Sequence, residues 1–228
     1  MAKISSGSFD LNKFLYGGYD SDIVTVLYGG PGTGKTNFCL LAAVSQAKKG
    51  NKVIFIDTEG GFSVDRVKQL APEEHAEVLK NILLLKPTNF SEQKKAFGEL
   101  NKHLKEHVEL IVVDWMTILY RLDFADAREK NEESVQMINS ELARQMKTLA
   151  EIARKKRIPV LVTNQIYRWE DENKMVGGDI LKYWGKCLVE LVNDKGRRVV
   201  YLRKHRSLPE KEMTFQIIND GVKRRGWL

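Results

Sequence analysis

The sequence predicts an α/β domain: a mostly parallel central sheet flanked by helices, with an antiparallel extension at its C-terminal side. Three observations carry this expectation. Short apolar runs of strand composition alternate with longer helix-compatible runs between residues 22 and 163, the pattern of a parallel βα core. The run Leu110-Ile-Val-Val-Asp114 is apolar up to its last residue, as suits a strand covered on both faces. After residue 185 the alternation gives way to two hairpin signals, Asn193-Asp-Lys-Gly196 and Asn219-Asp-Gly221, each between β-rich runs. The chain of 228 residues suits one such domain better than two. Residues 1–21 read as a short N-terminal lead and residues 22–228 as the core.

The elements follow in order. Asp22-Ile-Val-Thr-Val-Leu-Tyr28 is the first strand of the core, and Asn37–Lys49 is a helix-compatible run stopped by Gly50. Lys52–Asp57 is a second strand, residues 63–71 a helix, and Ile82–Lys86 a third strand. Phe90–His107 forms an amphipathic helix with Thr88 or Asn89 as its cap. A long helix spans about 132–156, because Val135, Ile138, Leu142, Met146, Leu149 and Ala153 recur at helical spacing. Its acidic first turn (Glu132, Glu133) and basic last turn (Arg154 to Arg157) match the helix dipole. Ile158–Thr163 is the fifth strand. Leu188–Val192 with Arg198–Arg203, and Met213–Ile218 with Val222–Arg225, are the two hairpins.

Composition limits the function classes. No stretch approaches ~18 uninterrupted apolar residues, so no membrane span is expected. The N-terminal residues lack the apolar segment of a secretory signal, and the expected location is the cytoplasm. Cys39 and Cys187 have no metal-ligand spacing and read as reduced core residues. The net charge of +7 fits a polyanionic partner and fits plain solubility charge equally well.

The chemistry begins at Gly29, Gly30, Pro31, Gly32, Thr33, Gly34, Lys35 and Thr36, which satisfy G-x-x-x-x-G-K-[ST] between a strand and a helix. The glycines let successive N–H groups point into one concavity, and the helix start adds its positive end. Lys35 supplies a charge for β- and γ-phosphates, and Thr36 a hydroxyl for Mg²⁺. ATP and Mg²⁺ are therefore the expected ligands. Asp114 closes an apolar strand, where the acidic group of a Mg²⁺ shell is expected. Hydrolysis also needs a group that polarises water, and from spacing alone Asp57 and Glu59 are equal candidates. Gln165, at the end of the fifth strand, can hydrogen-bond a γ-phosphate and move when it leaves.

In this order the pieces resemble the ATPase core of the RecA/RadA recombinases. The resemblance rests on Ser8-Phe-Asp-Leu11 and Leu15-Tyr-Gly-Gly18, the Gly29–Thr36 loop, Ile56-Asp-Thr-Glu-Gly-Gly-Phe62 with Asp65-Arg66, and Val113-Asp114. It continues through Leu119-Tyr-Arg121, Val162-Thr-Asn-Gln-Ile166, Gly177-Gly-Asp-Ile180, and Leu208-Pro209 with Phe215 and Asn219-Asp-Gly221. It implies a RecA-like P-loop NTPase fold that binds ATP, Mg²⁺ and DNA, single-stranded in particular, in recombination and repair. By the same resemblance Glu59 is the catalytic carboxylate, and Gln165 couples the nucleotide to the segment after it. Lys204 and Arg206 would sit at a subunit boundary and reach a neighbour's γ-phosphate. Two loops would face DNA: residues 121–131, with Arg121 and Arg128, and residues 167–176, with Tyr167, Arg168 and Trp169.

The sequence also departs from the family. Residues 1–21 hold neither a helix-hairpin-helix domain nor a Phe-x-x-Ala polymerisation motif, the segment after Gln165 is short, and Trp115 replaces a small hydroxyl residue. This is the pattern of a core-only archaeal paralogue of RadA. The expectation is an accessory protein with weak ATP hydrolysis, weak self-association, and a recombinase or another recombination or repair protein as partner. The rival reading is a nucleotide-gated regulatory module that holds such a partner and hydrolyses little. A small-molecule kinase is a further rival, disfavoured by the two C-terminal hairpins.

Overall fold

Alternate residues of the apolar runs go to opposite sides of one sheet, as a period of two requires. Val53 and Phe55 enter one core, Ile54 and Ile56 the other, and all four are buried. The computed structural model describes residues 2–104, 107–169 and 172–226; the side chains of residues 168, 169, 172 and 173 also lie outside the described part. Its elements are β1 (Lys3–Ile4), α1 (Phe9–Phe14), β2 (Tyr19–Asp20), β3 (Val24–Gly29), α2 (Lys35–Ala47), β4 (Lys52–Asp57) and α3 (Val64–Leu70). Then come α4 (His75–Lys80), β5 (Ile82–Leu85), α5 (Phe90–His103), β6 (Val108–Asp114), α6 (Ile118–Lys130), α7 (Glu132–Lys156) and β7 (Val160–Trp169). The chain ends with β8 (Glu172–Met175), α8 (Gly178–Trp184), β9 (Cys187–Asp194), β10 (Arg197–His205), β11 (Lys211–Ile218) and β12 (Gly221–Arg224).

The main sheet has the order β12-β11-β10-β9-β3-β7-β6-β4-β5. From β9 to β5 every pairing is parallel, and from β9 to β12 every pairing is antiparallel. This is the expected architecture, a mostly parallel sheet with an antiparallel C-terminal extension. Helix α2, buried through Phe38, Leu40 and Leu41, fills one face. Helix α7 fills the other through Leu142, Met146 and Leu149, all fully buried. The N-terminal segment packs into the α2 core through Ile4, Leu11, Phe14, Leu15 and Tyr19. Ser8 caps α1 and donates its hydroxyl proton to Val222 O at 2.7 Å, while Asp10 accepts from the backbone N–H of Arg224 at 2.8 Å. Two polar groups on the outer edge of β12 are thus satisfied by side chains.

Two expected loops are ordered elements instead. Residues 118–130, which include Arg121 and Arg128, form α6, not a loop. Thr117 stands at the N-cap position, but its hydroxyl turns to Asn164 and makes no side-chain cap bond to the helix. What holds α6 is burial of Leu119, Tyr120 and Ala127. Asn131 then caps α7 by accepting from Ser134 N at 2.8 Å. The segment after Gln165 is also no open loop, since β7 runs on to Trp169 and pairs antiparallel with β8, Ile166 opposite Met175 and Tyr167 opposite Lys174.

Leu149 is fully buried where α7 meets the sheet. Leu149→Ala should cost about 2–5 kcal/mol of unfolding free energy. Urea unfolding checks this as a lower midpoint at unchanged slope.

Candidate nucleotide-binding site

The phosphate loop starts where two parallel strands come very close. A Cβ on Gly29 would lie 2.0 Å from Leu191 O on β9, so only glycine fits there. Gly34 sits in the left-handed region at φ 108° and precedes α2 without a side-chain cap, leaving the first helical N–H groups open. Thr33 closes the loop through Gly30 O at 2.9 Å. Lys35 Nζ spans it, donating to Gly29 O at 3.0 Å and Gly30 O at 2.7 Å. Burial lowers the Lys35 pKa, and the nearby Asp114 and Glu59 carboxylates oppose that shift. A cleft of about 520 Å³ opens here, lined by Gly32, Gly34 to Asn37, Glu59 to Gly61, Asp114, Trp115, Thr163, Gln165, Arg198 and Ile217.

Asp114 is buried at the end of β6. Its Oδ1 accepts the Thr163 hydroxyl proton at 2.7 Å, and the same hydroxyl oxygen accepts the N–H of Trp115 at 2.7 Å. From the other side Thr58 Oγ1 reaches Asp114 O at 2.9 Å and Trp115 O at 2.6 Å. Asp114 Oδ2 is buried with no hydrogen-bond partner among the described residues. A Cβ built on Gly61 would stand 3.3 Å from that oxygen and 3.6 Å from Thr36 Oγ1, so the two oxygens converge beside one bare glycine. An orphaned carboxylate oxygen next to a hydroxyl is a donor set that fits Mg²⁺. Burial raises the Asp114 pKa, and the Thr163 and Thr36 hydroxyls pull it back in part.

The backbone treats Asp57 and Glu59 differently. Asp57 Oδ1 accepts the N–H groups of Gly60 at 2.8 Å and Gly61 at 3.0 Å, and Oδ2 that of Phe62 at 3.0 Å. Both its oxygens are occupied in shaping the turn. Glu59 lines the cleft and makes no hydrogen bond or ion pair among the described residues. Burial, then Asp114, raise its pKa, Lys35 opposes, and Asp57 adds to the rise. Gln165 stands opposite Gly29 in the β3–β7 register and faces the same cleft. Its carbonyl accepts Val176 N at 3.2 Å, and the adjacent Asn164 donates to Val176 O at 2.7 Å. The cleft is thereby tied to the base of the β7–β8 hairpin.

The other expected site residues lie elsewhere. Arg121 and Arg128 are exposed on α6, and Tyr167 is exposed on β7; none lines the cleft. The Arg168 and Trp169 side chains are outside the described residues. Lys204 and Arg206 lie at the end of the sheet away from the cleft, because Lys204 pairs with Leu188 at the start of β9, whereas Gly29 pairs with Leu191 further along it. Lys204 Nζ donates to Lys182 O and Gly185 O, both at 3.0 Å. Arg206 clamps Asp22 through two bonds of 2.7 and 2.5 Å and approaches Asp20 at 3.4 Å. Sequence reasoning did not place Arg198, Trp115, Asn37 or Ile217 in the cleft. For Arg198 and Ile217 the signal is a long-range strand register, which no local motif carries.

Comparison with known proteins agrees with this geometry. A family model described as Rad51 matches residues 1–225. The chain is 40% identical over 223 residues to "DNA repair and recombination protein RadB" of Methanobrevibacter smithii, covering 93% of this chain and 92% of that protein. It is 37% identical over 212 residues to the protein of the same name from Methanocaldococcus jannaschii, covering 93% and 98%. A solved structure described as the RadB recombinase superposes with a TM-score of 0.79 at 33% identity, covering 96% of this chain and 98% of that one.

The raised Asp114 pKa has a definite sign in stability. A carboxyl whose folded pKa lies above its unfolded value stabilises the fold below the unfolded pKa, and that contribution is lost as pH rises through the folded pKa. Ionising the half-unpaired Asp114 therefore costs the fold stability as pH rises. Asp114→Asn should melt no lower than the parent protein at neutral pH without ligand, and the difference should shrink toward acid pH. Thermal melts across pH check this.

Proposed function

The chain belongs to the Rad51 family, and from that membership we propose that it is an ATP-, Mg²⁺- and DNA-binding accessory protein of DNA recombination and repair, with slow ATP hydrolysis. One observation carries the reading: Lys35, Thr36, the free oxygen of Asp114, Glu59 and Gln165 converge on one cleft at the C-terminal ends of the parallel strands. In this reading the loop N–H groups and Lys35 hold the phosphates, and Thr36 and Asp114 hold Mg²⁺. When bound, the ion would neutralise phosphate charge. Glu59 orients and polarises the attacking water, and its raised pKa suits a base working nearer neutrality. Gln165 reads the γ-phosphate and passes its presence to the β7–β8 hairpin.

Slow turnover follows from where the second cationic pair lies. Lys204 and Arg206 are held by their own chain at the other end of the sheet, so they act on a γ-phosphate only from a neighbouring subunit. The DNA-facing surface is read as the exposed Tyr167 of the hairpin with Arg121 and Arg128 on α6, supported by the net charge of +7. The curated relatives named for DNA repair and recombination support a recombination protein as partner. Trp115 favours the regulatory variant of this reading. It lines the cleft directly after the Mg²⁺ acid and holds a left-handed φ of 60°, a strained position for a bulky side chain.

ATP turnover measured with and without single-stranded DNA, at several protein concentrations, tests the proposal. Lys35→Ala should sharply weaken ATP binding, and Glu59→Gln should keep binding and lose hydrolysis, read by titration and phosphate release. If Asp57→Asn instead kept binding and lost hydrolysis, Asp57 would be the base.

Arg206→Ala should leave ATP affinity near normal and abolish any rise in rate with protein concentration or DNA. A high rate per subunit, independent of concentration and unaffected by Arg206→Ala, would show that the site is complete in one chain.

A further inference from the structure

Among the side chains that line the cleft, Arg198 is the one whose chemistry remains unaccounted for. It is the second residue of β10, half-buried, and it pairs in register with Phe215 of β11. Phe215 and its neighbour Ile217 lie on the phosphate-loop side of the sheet: a Cβ on Gly34 would stand 3.8 Å from the Phe215 ring and 3.1 Å from Ile217 Cδ1. Residues directly opposite on adjacent strands share a face, so Arg198 projects to the side on which the phosphate loop curls. There it lines the same cleft as Lys35, Glu59 and Gln165.

Its bonding state separates it from the other cations. Lys35 rests on two loop carbonyls, and Arg206 is saturated by Asp20 and Asp22. Arg66 spends its donors on Asn37, Gln69 and the carbonyls of the β11–β12 turn. Arg198 makes no hydrogen bond or ion pair among the described residues, and its Nε is buried without a partner. A buried guanidinium N–H without an acceptor is costly, and that cost is removed when an anion enters. A planar guanidinium matches phosphate oxygens with paired donors.

We propose that Arg198 is a phosphate-binding residue of this site, contributed by the same chain, which contacts the bound nucleoside triphosphate from the wall opposite Glu59 and Gln165. The inference rests on the nucleotide reading above and adds a ligand-binding group to it. The cleft then holds two cations from one subunit before any neighbour arrives. Arg198 contributes to ground-state binding at every protein concentration, whereas Arg206 contributes only where subunits meet.

The test is calorimetric titration of the full chain with ATP·Mg²⁺ and with ADP, for the parent protein, Arg198→Gln and Arg198→Lys, together with melting of each ligand-free variant. Arg198→Gln should bind ATP roughly 10- to 100-fold more weakly, the loss expected for a charge-assisted hydrogen bond. Arg198→Lys should recover part of the loss, and ligand-free melting should hardly move, because no partner within the chain is lost. A parent protein that binds no ATP would remove the nucleotide reading and this inference with it. A parent that binds, with Arg198→Gln equal to it, would overturn the Arg198 assignment alone. A lowered ligand-free melting temperature with unchanged ATP affinity would make Arg198 a packing residue and overturn it equally.

Discussion

Thr163 uses one hydroxyl group twice, donating to the Asp114 carboxylate and accepting from the amide of Trp115. The bond pair joins the end of β6 to the interior of β7, at the point where the chain leaves β6. Thr58, the residue after β4, directs its hydroxyl proton at the carbonyl oxygens of Asp114 and Trp115, so β4, β6 and β7 are held in one layer. In that layer one oxygen of Asp114 accepts the Thr163 hydroxyl proton. The other is left bare toward Thr36 and Gly61. Buried polar networks are stiff when satisfied, and here the Thr163 and Thr58 hydroxyls are both bonded while Asp114 Oδ2 is not. The same layer carries Gln93, which donates to Met116 O and to Gln145 Oε1 and so anchors the turn after Asp114 to α5 and α7.

The sheet divides its work at β9. On the parallel side every strand arrives with its C-terminal end at the cleft, which places the phosphate loop, Glu59, Asp114 and Gln165 in one row. On the antiparallel side β10 runs the other way. Its first residues reach the cleft, and its last residues reach the opposite end of the sheet. Arg198 and Arg206 are eight positions apart, about 25 Å at the rise of an extended strand. The strand thus begins with a cation at its own cleft and leads to another at the opposite end of the sheet.

Arg66 explains why the C-terminal hairpin belongs to the site. Its guanidinium bonds Asn37 of α2, Gln69 of α3, and the carbonyls of Ile218, Asn219 and Gly221 in the last turn. The turn is therefore clamped beside the first turn of the phosphate-loop helix, and Ile217 is pressed against Gly34. The N-terminal segment secures the same hairpin from its outer edge through Ser8 and Asp10. Arg66 of α3 and the N-terminal segment thus hold the antiparallel extension beside α2.

The sequence by itself determined what contiguous residues can carry. The phosphate loop, the acid closing the apolar strand, the 132–156 helix and the two hairpins are patterns of neighbours, set by backbone sterics, side-chain period and turn chemistry, and they stand where expected. Tertiary structure decided what depends on distant partners. Asp57 and Glu59 are two residues apart and indistinguishable in sequence, until three N–H groups of the following turn occupy Asp57 and leave Glu59 to the cleft. Helix α6 starts without a side-chain cap bond, and its Thr117 hydroxyl is turned to Asn164, 47 residues away. Of the arginines on β10, only strand register across β9, β10 and β11 shows which faces the phosphate loop and which faces away. Hydrogen-bond partners and register are long-range properties, and a residue's type does not state who will be beside it.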